Sequence, residues 1–296
     1  MEAREYRRMC ELVDQASPHR RASKQQFGDH VIVKVYLYSV LRDRPVSFVC
    51  CEENWDQKLL EELIGDLPSQ PTMSRRMKSL GVLSLIQRTQ ALLAETEQKM
   101  LVKFIDSKPL KVGSYSKDRE AKRGRAAGEM ARGYKIHVIS SGNAVLCWTL
   151  TAMNTNDQVA AQMLLPQLQG AGYVAGDNSY DANGLHVKAW DSRHQMLTPT
   201  RKGKESKRDL RRTPKPRLRS QDMLDPKLKH TEGESFGEGL MRERKQIERQ
   251  FGHQVMLGMH APPPWVRTPH RVATWAAGKM IQSACRLQQT KKMRRR

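Results

Sequence analysis

The feature that most constrains the fold of this chain is a change of pattern near residue 99: helical spacing of apolar residues gives way to short apolar runs that alternate with helical stretches. In the first part, Val31, Val35 and Tyr38 recur at i, i+4 and i+7, with Ile32 and Tyr36 widening the face. Pro45 suits the first turn of a second helix through Val49, and residues 56–64 make a third, closed by Gly65. Residues 72–80 make a fourth, with Met73, Met77 and Leu80 on one face and Gly81 as its stop. In the second part, residues 101–106 read as a short buried strand, and residues 134–139 and 144–150 flank a hairpin signal at Ser140-Ser141-Gly142-Asn143. Asn156 or Asp157 can cap a helix over residues 158–168 whose core face is Val159, Met163 and Leu164. A strand at 173–177, a helix at 182–190 and a strand at 196–199 follow. A final helix carries Leu240, Ile247, Phe251 and Val255 as its apolar stripe. The sum is an α/β layout, a mixed sheet with helices on both faces, behind a helical N-terminal part.

At 296 residues the chain is long enough for about two domains. The expected boundaries are 1–95 for a helical domain, 96–255 for the sheet domain with a basic insertion at about 200–238, and 256–296 for a C-terminal helix and basic tail. The formal net charge is +21, which calls for a polyanionic partner. Double-stranded DNA is the first candidate and an anionic membrane the second, but no run approaches the ~20 apolar residues that span a bilayer. No apolar leader region is visible at the start, so the expected location is cytoplasmic and nucleoid-associated. Five scattered cysteines without a C-x-x-C pair argue against a disulfide framework and against structural zinc. Arg75, Arg76 and Lys78 lie off the apolar stripe of the fourth helix, which makes it a candidate reading helix of a helix-turn-helix; a solvated basic face on a bundle is the alternative. Residues 201–230 hold twelve lysines and arginines against four acids and read as a basic loop ordered on contact with DNA. A second basic loop at 117–125 contains Arg123 and Arg125 and could follow a phosphate backbone.

Three acidic residues stand out by their local context. Asp106 closes the run Leu101-Val102-Lys103-Phe104-Ile105, and Asp177 follows Gly172-Tyr173-Val174-Ala175-Gly176. A carboxylate at the end of an apolar strand is costly unless it emerges into solvent or meets a cation. Glu248 sits one residue off the apolar stripe of the last helix, with Arg244 one turn earlier, where the arginine could hold Glu248 or a phosphate. Two carboxylates at strand ends and one on a helix can converge into an oxygen-rich pocket. Such pockets suit hard divalent cations, and paired magnesium ions serve phosphodiester cleavage and joining.

Taken in order, Phe104-Ile105-Asp106-Ser107, Gly133-Tyr134-Lys135-Ile136-His137, Asn154-Thr155-Asn156-Asp157, Gly176-Asp177-Asn178-Ser179-Tyr180-Asp181 and Arg244-x-x-x-Glu248-Arg249-x-Phe251-Gly252 resemble the DDE transposases of bacterial insertion sequences. The resemblance spans about residues 100–255, and its signature departs in carrying Met241 where many relatives have Tyr, Val255 where they have Lys, and Ser179 where they have Gly. It implies an RNase H-like catalytic domain in which Asp106, Asp177 and Glu248 are the catalytic, metal-binding triad. The implied cofactor is a pair of Mg²⁺ ions, with Mn²⁺ as a substitute and no nucleotide cofactor. The implied activity is cleavage at transposon ends and strand transfer into target DNA, by a homodimer in the active complex. Arg75, Arg76, Lys78, Arg123, Arg125, Lys135, Arg244 and Arg249 are the candidate DNA contacts. A DNA-binding remnant without catalysis, or a nuclease without strand transfer, are the alternatives.

Overall fold

The structure is a computed structural model that describes residues 2–17, 26–113, 115–126, 128–142, 144–200, 212–225 and 235–294. Its contacts divide the chain into two compact units, Met1–Leu93 with Met256–Arg296, and Ala94–Val255.

In the second unit the chain is organised by one long strand. β1 (Val102–Lys111), β2 (Lys122–Ala126), β3 (Glu129–Ser141) and β4 (Ala144–Ala152) are followed by β5 (Gly172–Ala175) and β6 (His194–Leu197). β3 is antiparallel to β1 on one side, and to β4 and β2 on the other, where β2 meets its first half. β5 pairs parallel with β1 and β6 parallel with β5, so the sheet reads β4-β3-β1-β5-β6. This is the RNase H-like mixed sheet. Residues in register share a face and alternate residues change face. Ile105, Ile139, Cys147, Val174 and Met196 therefore point one way and form a buried cluster with Ala161, Leu164, Leu185 and Ala189. Those last four come from α7 (Asp157–Leu164) and α8 (Asn183–Asp191). Asp106 and Lys108 point the other way. On that face the Lys108 ammonium lies 5.7 Å from the centre of the Phe251 ring and donates to the Phe251 carbonyl at 3.2 Å. Helices therefore cover both faces.

Several local expectations are corrected. The first strand does not stop at Asp106; it continues to Lys111, because its antiparallel ladder with β3 runs on from Ser107↔His137 to Lys111↔Gly133 under polar side chains. The basic stretch at 117–125 is in part a strand: in β2 the small Gly124 and Ala126 are buried while Lys122, Arg123 and Arg125 face outward. That is the alternation of a half-buried edge strand, whose lysines and arginines hid it from a hydropathy reading. In α7, capped by the Asn156 side chain, Val159 and Met163 are exposed, and the core face is Ala160, Ala161 and Leu164. Small alanines allow the close approach to the sheet that larger residues would prevent. The basic tract at 201–230 contains a helix, α9 (Lys215–Leu224); residues 201–211 and 226–230 lie outside the described residues. The final stripe is split between α10 (Phe236–Arg242) and α11 (Lys245–Met256), so Leu240 is on another helix. Val255 is exposed as well, and the buried face of α11 is Ile247, Gln250, Phe251 and Gln254.

The first unit is helical: α1 (Glu2–Ala16), α2 (Asp29–Leu41), α3 (Val46–Val49), α4 (Gln57–Leu63), α5 (Gln70–Arg76), most of α6 (Leu80–Gln98) and α12 (Pro269–Arg294). α2 is apolar nearly all round and correspondingly central, buried from Ile32 to Leu41. Tyr38 stacks on Trp55 at 3.9 Å between ring centres, and Tyr6 meets both edge-on. α12 packs on α1 and α2. Its Arg286 pairs with the buried Glu5 at 2.7 Å, and its buried Lys279 pairs with Asp43 at 2.6 Å. The fourth helix ends at Arg76, four residues earlier than its apolar spacing suggests. Leu80 is exposed at the start of α6, and Gly81 lies inside that helix, with the Asp29 carboxylate where a side chain would stand.

Candidate active site

β5 ends at Ala175, opposite Phe104. β1 runs on past that point, so Asp106 stands two residues beyond the last parallel pair, and Asp177 follows two residues after Ala175. Both carboxylates thus emerge at the carboxyl end of the parallel strands, where open α/β sheets offer a crevice. Gly176 permits this closeness. A Cβ there would lie 2.8 Å from Ile105 Cγ2 and 3.1 Å from the Tyr180 ring, so a side chain would push the Asp177 turn away from β1. Asp177 is fixed by its own turn: one oxygen accepts from the Ser179 amide at 2.8 Å and from the Ser179 hydroxyl. One Asp106 oxygen accepts from the Ser107 amide at 2.8 Å.

α11 covers the sheet face that carries Asp106, and Arg244 just before it closes the site. The Arg244 guanidinium donates to Asp106 Oδ2 at 3.3 Å and to Glu248 Oε1 at 3.1 Å. One arginine therefore ties together two carboxylates that are 142 positions apart in sequence, 248 against 106. Asp106 is largely buried, and that burial pushes its carboxyl up to about 6. The Ser107 amide and Arg244 pull it down, while the negative charges of Asp177 and Glu248 push it further up, so both of the other carboxylates act on Asp106. Outside them lies a wide shallow basin of about 630 Å³ lined by Arg242, Glu243, Lys245, Glu248 and Arg249.

The donor set is of the kind that hard divalent cations take: carboxylate oxygens, mutually repelling and only partly neutralised. The positive charge attracted to Asp106 and Glu248 is supplied here by the Arg244 side chain, which stands between them as a cation surrogate. Among the described residues no three acidic, histidine or cysteine side chains are drawn tightly enough together to enclose an ion as they stand. The residues fit a divalent cation in kind, and Arg244 occupies the space between two of them.

The remaining basic candidates separate by location. Arg249 is exposed beside Glu248 on α11, and Arg123 and Arg125 are exposed on the edge strand β2. Lys135 lies on the opposite face of the sheet from Asp106. There its ammonium donates to Asp157 at 2.8 Å and to the Thr155 carbonyl at 3.1 Å, beside a buried His137 held well below its usual range, at about 4, by burial. In the helical unit, Arg75 and Lys78 are exposed, whereas Arg76 is turned inward, donating to the Phe27 carbonyl and to Asp29 at 2.7 Å each. Lys108 escaped the sequence reading. Its ammonium is lowered to about 8 by burial on the Asp106 face, and two-residue alternation past Asp106 would have revealed it.

A family model described as a transposase DDE domain matches residues 97–259, an interval that holds Asp106, Asp177 and Glu248. None of the curated proteins matches the chain. Among solved structures the chain is similar to a piggyBac transposase in a cryo-EM synaptic complex with hairpin DNA. The identity is 12% and the TM-score 0.44, over 95% of this chain and 70% of that one. It is similar also to chains in the crystal structures of the Mos1 strand transfer complex and of a pre-cleavage Mos1 transpososome. Their identities are 12% and 11% and their TM-scores 0.25 and 0.20, over 91% of this chain and 79% and 80% of theirs. Among the described residues no helix is long and apolar enough to cross a membrane.

Proposed function

The chain belongs to the transposase DDE family of enzymes acting on DNA, and from that membership we propose that it cuts DNA at the ends of a mobile element and joins the freed 3′ ends to target DNA, with Asp106, Asp177 and Glu248 as its catalytic carboxylates. What supports the residue assignment is the bridge through Arg244, which holds Asp106 and Glu248 in one site, together with the electrostatic pressure of Asp177 on Asp106. The three carboxylates would hold two Mg²⁺ ions, or Mn²⁺ in their place. When bound, these ions would activate a water and stabilise the leaving 3′ oxygen of an in-line displacement.

The chain's own residues supply the rest. Asp106 on its rigid strand, and Asp177 in its hydrogen-bonded turn, arrive preorganised, so little reorganisation is required at the moment of reaction. Arg242, Lys245 and Arg249 around the basin draw the DNA backbone towards Glu248. Arg244 would pass from the carboxylates to a phosphate as the site loads. Hydrolysis breaks one P–O bond and leaves a 3′-hydroxyl; that hydroxyl then attacks a target phosphorus and displaces a second 3′ oxygen. We assign DNA-backbone contact to Arg123, Arg125 and Arg249 in the catalytic unit and to Arg75 and Lys78 in the helical unit. Lys135 and Arg76 receive structural roles, since each is held by a carboxylate. Two DNA ends require two active sites, which favours a homodimer as the active complex.

The test is a supercoiled plasmid carrying the element's ends, incubated with Mg²⁺ or Mn²⁺. Wild-type protein should yield cut ends and joined products, and Asp106→Asn neither. An Asp106→Asn protein that cuts and joins at the wild-type rate would overturn the assignment.

A further inference from the structure

The helical unit contains a groove of about 310 Å³ outside the carboxylate site, bounded by α3, α5 and the segment that leads into α12. Its floor is apolar, with Met73, Met77 and Val266, and one wall is the half-exposed indole of Trp265. Lys78, His270 and Arg271 stand at the rim, and all three are exposed. Among the described residues that line it, none carries a carboxylate. We propose that this groove takes one unstacked base of a single-stranded DNA stretch, stacked on Trp265, with its flanking phosphates against Lys78 and Arg271.

The occupant follows from size and charge together. A volume near 300 Å³ is at the small end of ligand-sized cavities, which run to about 1,000 Å³. It suits a nucleotide unit rather than a peptide helix. A base inside a duplex presents only its edge, so a base seated on the floor must have left the stack. An apolar floor and an indole accept any base through its π-face, while cations at the rim take the backbone, which is the general recipe for single-stranded DNA. An apolar protein segment would leave the cationic rim without counter-charge. With seven residues and Arg76 turned inward, α5 offers little to read a major groove, whereas Lys78, two residues past its end, joins a surface built with Trp265 and Arg271, about two hundred positions away in sequence.

This inference rests on the DNA-binding reading above and deepens it. The experiment measures binding of the full chain, in EDTA, to a blunt duplex and to the same duplex with a six-nucleotide thymidine tail. Wild-type protein should favour the tailed DNA. Trp265→Ala should lose about tenfold on the tailed DNA and leave the blunt duplex unchanged, while Trp265→Phe should stay near wild type. A Lys78→Ala, Arg271→Ala double variant should flatten the slope of log affinity against log salt by about 0.7 per side chain on the tail. Equal binding of tailed and blunt DNA by wild type, or equal loss on both in Trp265→Ala, would overturn the groove assignment and leave the carboxylate site untouched. A concentration-dependent self-association that Trp265→Ala abolishes would give the groove to a second copy of the chain and overturn it too. Failure of wild type to bind either DNA would sink the DNA-binding reading together with the groove.

Discussion

Replacing Asp106 by Asn should make the protein more stable at pH 8, although it removes an ion-pair partner. The carboxyl is raised from 3.8 to about 6, chiefly by burial. The folded protein thus holds this proton more tightly than the unfolded chain does. That linkage favours the fold fully below about pH 3.8, and the contribution is lost as pH rises through about 6. The span corresponds to about 3 kcal/mol between acid and alkaline limits. An asparagine is neutral throughout and escapes the cost of ionisation, and the raised value already includes the opposing pull of the Arg244 guanidinium at 3.3 Å. The net gain is therefore about 3 kcal/mol at pH 8, or roughly 6–12 °C in the unfolding midpoint for a unit of this size. The assay is thermal unfolding of wild type and Asp106→Asn in EDTA from pH 4 to 8, with the exposed Asp191→Asn as control. The difference should be near zero at pH 4 and grow through pH 6. A variant that is less stable at pH 8, or a difference that ignores pH, would refute the claim that desolvation outweighs Arg244 at this carboxyl.

The other perturbations separate the site's parts. Mg²⁺ in EDTA-free buffer should raise the midpoint of wild type by about 2.7 kcal/mol equivalent at a hundredfold excess over its dissociation constant, and should leave Asp106→Asn unmoved; equal shifts in both would place the ion elsewhere. Arg244→Ala removes a cation that lowers Asp106, so its titration, followed by carboxyl NMR, should move above about 6; an unchanged titration would mean the bridge has no electrostatic weight. The Arg123→Ala, Arg125→Ala pair should reduce the slope of log affinity against log salt for duplex DNA by about 0.9 per arginine, and an unchanged slope would free β2 of that role. Lys135→Met should cost about 3 kcal/mol of stability by stranding Asp157 and leave DNA affinity within about twofold, whereas a tenfold loss of affinity would restore Lys135 to the interface.

The strand and helix grammar was legible because burial leaves period-two and period-3.6 marks in the apolar residues. Asp106 and Asp177 could be picked out because each closes an apolar run where a charge is expensive, and Glu248 because it stands one residue off an apolar stripe with Arg244 a turn before it. What stayed hidden was structure made under polar side chains. β1 beyond Asp106 and β2 are held by ladders with β3, and backbone hydrogen bonds leave no hydropathy trace. The buried glutamines of α11 and the alanines of α7 were illegible for a related reason. Packing against a sheet selects small or hydrogen-bonded residues as readily as large apolar ones. The membership of α12 in the helical unit was beyond reach because it depends on pairs such as Arg286 with Glu5, which lie at opposite ends of the chain.

A net charge of +21 is an ambiguous signal until its bearers are sorted. Lys34 is buried against Asp14 at 2.8 Å, Lys103 donates to the Met100 and Ala171 carbonyls just ahead of β1 and β5, and Arg217 grips Asp181 with two hydrogen bonds of 2.8 Å. Arg132 serves three carbonyls around the 116–121 turn. These cations are structural, and removing them should unfold the chain before it weakens DNA binding. Among the described residues, exposed cations stand instead on β2, on α11 beside Glu248, and at the groove between α5 and the start of α12. A phosphate backbone is long and repetitive, so separate basic patches can bind it cooperatively where one could not. Charge counted along the sequence predicts the class of partner; which of its bearers keep their ammonium or guanidinium in water decides where that partner is held.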